Sequence, residues 1–186
     1  MHDETTKIAA VNDDHAAFPL PSPERIQELL FDAARLGRVD VIPALLHGGA
    51  DIAKVDGKGH SALILASYNG REEAVTLLLD QGAPVDQGDE SRGNTALMGV
   101  AFKGYDAIAD ILLGAGADPD ARNHAGQTAL MMAALFGHCA IVDRLLAAGA
   151  DPLSTDIAGN SAMSVAQDQS NELMGARLAG HSREHA

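Results

Sequence analysis

Residues 126–152 read GQTALMMAALFGHCAIVDRLLAAGADP, and the fold is decided here. Thr128 opens a helical run in which Ala129, Leu130, Met131, Met132, Ala133 and Ala134 supply small and apolar faces, and Gly137 ends it as a C-terminal glycine does. Ile141, Val142, Leu145 and Leu146 then recur at helical spacing as far as Gly149, after which Ala150, Asp151 and Pro152 turn the chain away. The stretch predicts two short antiparallel helices, and a polar loop leads on to the next glycine. The unit is turn, helix, turn, helix, loop.

That unit recurs. Gly59, Gly93, Gly126 and Gly159 are spaced 34, 33 and 33 residues apart. Gly37, Gly70, Gly104 and Gly137 keep the same beat at 33, 34 and 33, as do Gly49, Gly82, Gly116 and Gly149. Three registers sharing one period mark a stack of identical supersecondary units, each touching only its neighbours.

The repeated residues resemble the ankyrin repeat. The family's threonine, proline, leucine, histidine signature stands here as Ser61, Ala62, Leu63, Ile64, then Thr95, Ala96, Leu97, Met98, then Thr128, Ala129, Leu130, Met131, and last Ser161, Ala162, Met163, Ser164. The second helix also follows the family, in Val75, Leu77, Leu78, Leu79, Gly82, Ala83 and in Ile111, Leu112, Leu113, Gly116, Ala117. Alanine replaces the proline, and the histidine is apolar or small each time, which implies apolar packing between repeats in place of a histidine hydrogen-bond network. The resemblance covers about residues 24–178 and implies an all-α solenoid of helix-turn-helix units.

Three repeats are complete, at 56–88, 89–122 and 123–155. Residues 24–55 lack the turn signature but keep Ala33, Ala34, Gly37, Val41, Leu45, Leu46 and Gly49, as an N-terminal cap would, with Ser22 and Pro23 as helix cap and first helical residue. Residues 156–178 are polar, with Ser170 where the glycine should be, and read as a C-terminal cap. Residues 1–21 are expected to be a flexible lead-in, the repeat domain to span 22–178, and 179–186 to be a short tail. No leader-like or membrane-length apolar run is seen, and the single Cys139 leaves no internal disulfide, so a soluble, cytoplasmic monomer is expected.

A formal charge of −13 disfavours nucleic acid and anionic membrane surfaces unless basic residues are segregated. In the ankyrin architecture the turn tips and first helices form a concave face. Repeat position sends Arg35, Lys58, His60, Arg92, Lys103 and His124 there, with Asp168 the main acid. The second helices carry Asp40, Glu72, Glu73, Asp80, Asp106, Asp110 and Asp143, which equally serve the helix dipole. Late in each first helix a normally exposed column holds Arg35, Tyr68, Phe102, Leu135 and Asp168, and the next holds Leu36, Asn69, Lys103, Phe136 and Gln169. The chain has only four Phe and two Tyr, yet Tyr68, Phe102 and Phe136 all fall in these columns. Aromatics beside Arg or Lys make binding hot spots, although one column could instead tuck its rings under the preceding turn. A row of rings at roughly the 10 Å spacing of packed helices is expected.

His138 and Cys139 are adjacent, which points their side chains apart, and no orienting acid accompanies them. His60 and His124 lie two repeats apart and cannot share a metal. No phosphate-binding loop, zinc spacing or nucleophile elbow is present, so no metal, cofactor or catalytic residue is expected. The sequence predicts a non-enzymatic protein-binding module whose partner has acidic and apolar surface, contacted by Arg35, Lys58, His60, Tyr68, Arg92, Phe102, Lys103, Leu135 and Phe136. Its signature variant resembles that of bacterial ankyrin proteins, which implies a narrower alternative, an accessory or immunity factor for one enzyme or toxin, such as a stress-response enzyme. A hydrolase built on Cys139 is the remaining alternative.

Overall fold

A computed structural model describes residues 21–169 and 171–182. The expected lead-in up to residue 20, Ser170 and the tail beyond Ser182 lie outside the described residues. The described chain forms ten helices in five pairs: α1 (Pro23–Leu36) with α2 (Ile42–His47), α3 (Ala62–Tyr68) with α4 (Glu72–Asp80), α5 (Ala96–Lys103) with α6 (Asp106–Gly114), α7 (Ala129–Leu135) with α8 (Cys139–Ala147), and α9 (Ala162–Asp168) with α10 (Glu172–Ser182).

Each first helix starts on the same chemistry. The hydroxyl of Ser22, Ser61, Thr95, Thr128 or Ser161 accepts a hydrogen bond from the backbone N–H three residues on, at 3.2 to 3.4 Å. Such a cap contributes about 1 kcal/mol to its helix, and five copies fix five helix starts in register. The first helices then stack in one row, α1 on α3, α3 on α5, α5 on α7 and α7 on α9, while α4, α6 and α8 form a second row. Buried alanines, Ala62, Ala66, Ala96, Ala101, Ala129 and Ala133, let the first row approach closely, and Leu78, Leu112 and Leu145 fill the space between the rows. The last helix runs to Ser182, past residue 179, where the sequence reading began a tail; Met174 and Leu178 are fully buried and anchor it.

Where the family has a signature histidine, Ile64, Met98 and Met131 are buried. Hydrogen bonds between turns persist through the backbone: Glu90 N–H donates to Gly59 O at 3.1 Å, His124 N–H to Arg92 O at 2.8 Å and Ile157 N–H to Ala125 O at 3.0 Å. A further clasp joins the repeats behind the first helices. Arg71 Nε donates to Arg35 O at 3.1 Å, and His138 Nε2 lies 3.2 Å from Phe102 O. His138 passes so close to Gly104 that a Cβ there would sit 2.6 Å from its ring, and Gly104 has φ +80.

Candidate functional site

A groove of about 620 Å³ opens over α3, α5 and α7. Ile64, Met98 and Met132 form its apolar floor, Tyr68, Phe102, Leu135 and Phe136 one rim, and the turns bearing Asp89, Arg92, Asn94 and Gln127 the other. The floor dips at Gly99, whose counterparts in the flanking helices are Leu65 and Met132. A Cβ added there would meet only Tyr68 Cδ2, at 3.6 Å.

The rim side chains are exposed, Tyr68 by 45%, Phe102 by 39%, Leu135 by 40% and Phe136 by 46%, so neither ring column is tucked away. They are not 10 Å apart, however. The Tyr68 and Phe102 rings stack with centroids 6.2 Å apart, and the Phe102 and Phe136 rings meet edge to face at 4.5 Å. The side chains lean together, and Phe136, one position later than Phe102 in its repeat, reaches back toward it. Lys103 Nζ lies 4.8 Å above the Tyr68 ring, a cation–π contact that keeps a positive charge on this rim.

The basic residues expected on this face divide. Arg92 and Lys103 are exposed and make no ion pair among the described residues. His60 lines the groove, its Nδ1 lying 3.4 Å from Asp56 Oδ1. Arg35 lies outside it, in a shallower hollow over α1, where it pairs with Asp32 at 2.8 Å and Asp56 at 3.3 Å. Its charge is spent within the chain, and exposed Asp32 joins Asp168 as an acid on this face. Lys58 is exposed at a turn tip outside the groove lining. On the second row Arg144 bonds Asp110 at 2.7 Å and Arg177 bonds Asp143, so part of the acidic exterior is neutralised between repeats.

Of the groove's polar wall, sequence reasoning named Arg92 but missed Asp89, Asn94 and Gln127. Burial raises the Asp89 carboxyl pKa, but the Ser91 hydroxyl and the backbone N–H groups of Arg92, Asn94 and Ser91 outweigh that and hold it below the ordinary carboxylate value. Asp89 is therefore ionised with its oxygens occupied, a structural anchor of the turn. The Gly99 dip was legible, since it is the one residue without a side chain in the column Asp32, Leu65, Gly99, Met132, Val165.

Cys139 is half-buried at the start of α8 and His138 is engaged with Phe102 O, one repeat back. Among the described residues no three His, Cys, Asp or Glu are grouped to hold a metal ion, and no helix is long and apolar enough to cross a membrane.

Models of ankyrin repeats match residues 30–123, as three copies, and residues 112–166, as many copies. The chain belongs to the ankyrin-repeat family. It is 40% identical over 86 residues to an ankyrin repeat-containing protein of Treponema pallidum, covering 46% of this chain and 29% of that one. Human ankyrin repeat and KH domain-containing protein 1 shares 41% over 69 residues, 37% of this chain and 3% of its own length. Mouse ankyrin repeat and SAM domain-containing protein 6 shares 37% over 101 residues, 54% of this chain and 11% of its own. The chain thus spans less than a third of each of these relatives. Ankyrin repeats are generally protein–protein interaction modules, and the family is typically not enzymatic.

Proposed function

We propose that this ankyrin chain works by binding, not by chemistry, and that it holds a protein partner in the groove over α3, α5 and α7, with the turn tips adding contacts. One observation carries the reading. Three successive first helices each turn a large apolar side chain outward on one face, next to Arg92 and Lys103, whose charges are unpaired. Exposed apolar surface of this kind is costly to leave in water and marks interaction sites, and aromatic and Arg side chains are those that dominate binding energy.

A photo-crosslinking amino acid placed at Tyr68, compared with one at exposed Thr76 on α4, tests this in the native source. The partner is expected to be crosslinked and identified by mass spectrometry from position 68 and absent from position 76. Crosslinking from 76 alone would put the interface on the second helices and end the groove reading. A recovered enzyme or toxin whose activity changes on complex formation would narrow the role to an accessory or immunity factor.

A further inference from the structure

The turn-side wall of the groove has a direction in its hydrogen bonding that follows from one side chain. Asn123, 8% exposed, has its Oδ1 occupied by two backbone donors, Ala125 N–H at 3.0 Å and Gln127 N–H at 2.9 Å. An amide oxygen held in this way sends its NH2 group to the other side. There Asn123 Nδ2 lies 2.8 Å from Asn94 Oδ1 and 3.1 Å from Gln127 Oε1. Both neighbours must turn an acceptor toward it, so each turns its own NH2 group away. Neither of these groups donates to another described residue, and both Asn94 and Gln127 line the groove.

Arg92, exposed on the same turn as Asn94, adds a guanidinium that is unpaired among the described residues. The carboxylate beside them answers none of these donors, because Asp89 already accepts four hydrogen bonds from its own turn. Among the groove's amides, the acceptor facing outward is on Asn69, at the far end of α3, whose NH2 group is given to Leu65 O. The turns of two adjacent repeats therefore present unspent donors, one of them charged, alongside the apolar dip at Gly99.

The geometry points to an acidic linear segment of a protein partner as the occupant of this groove. Its carboxylate lies against Asn94, Gln127 and Arg92, and a neighbouring large apolar side chain enters the dip over Gly99 beside Tyr68. This deepens the binding role proposed above and rests on it. A polyanion such as nucleic acid is a poorer fit, since a chain of net charge −13 repels extended negative charge while a single carboxylate meets a local set of donors.

The test is selection of displayed random linear peptides on the full chain, followed by affinity measurements on two variants that each introduce a negative charge. Gln127→Glu and Asn94→Asp each keep the oxygen that Asn123 needs and replace only the outward NH2 group, so circular dichroism should show an unchanged fold. The expected consensus places Asp or Glu next to Leu, Met or an aromatic residue, and the selected peptides should lose about tenfold or more in affinity for either variant. A basic or uncharged consensus, no enrichment, or an affinity for both variants equal to that for the parent would overturn the assignment. Peptides that lose affinity for Tyr68→Ala but not for Gln127→Glu would remove the donor wall and leave the groove's binding role standing. Peptides indifferent to all three variants would remove both. A synthetic peptide of residues 1–20, which carries Asp13 and Asp14, is added as competitor: efficient displacement would give the groove to the chain's own segment and overturn the partner assignment.

Discussion

Gly99 and Gly104 stand five residues apart, one inside α5 and one just after it, and they serve opposite ends. At Gly104 the backbone is left-handed and the ring of His138 occupies the space a side chain would need, so Gly104→Ala should lower stability by about 2 kcal/mol, the sum of a disfavoured φ and a forced shift of the clasp. At Gly99 a methyl group would make only an ordinary contact with Tyr68, and Gly99→Ala should raise stability by about 1 kcal/mol through helix propensity alone. Chemical denaturation of the two variants checks both signs. The ring row was visible in the sequence as a column, but its contacts were not. Side-chain lean decides whether Phe102 stands alone or touches Phe136 at 4.5 Å, and no periodicity encodes it. Because of that contact Phe102→Ala should cost about 1 kcal/mol of stability, which makes Tyr68 the cleaner probe of binding.

The turns are tied by a repeated acceptor at one position, Asp56, Asp89, Asn123 and Asp156. The carboxyl of Asp156 is held below its ordinary value chiefly by the backbone N–H of Asn160; at Asp56 burial raises the pKa, but the N–H groups of His60 and Lys58 outweigh it. A folded pKa below that of the unfolded chain contributes stability above about pH 4, and that stability is lost as the pH falls through the folded value. The thermal midpoint should therefore fall on acidification below about pH 4. Asp156→Asn, which copies the acceptor of Asn123, should make the fall shallower; a slope identical to the parent's would show that this turn does not contribute. Helices, caps and glycine turns were legible because each obeys local rules within one repeat. The pairing of Arg35 with Asp56 and the Asn94–Asn123–Gln127 chain were not, since they depend on how one turn docks on the next.

As a whole the molecule is a row of neighbours, with first helices stacked on first helices and second on second. Leu112 is fully buried in α6, and Leu112→Ala should cost about 2 to 5 kcal/mol. Hydrogen exchange should show the lost protection centred on residues 75–146 and fading toward both ends, whereas uniform loss would indicate a single cooperative core. The period made this architecture readable from the sequence, yet the partner's identity was not, because fold does not encode it. What most needs testing is that the exposed rings exist to bind. Once the crosslinked partner is in hand, its affinity for Tyr68→Ala should be measured beside that variant's thermal midpoint. A hot-spot ring predicts a loss of at least about 2 kcal/mol, roughly thirtyfold in Kd, with a midpoint within a few degrees of the parent's. An unchanged Kd would contradict the binding role of the groove.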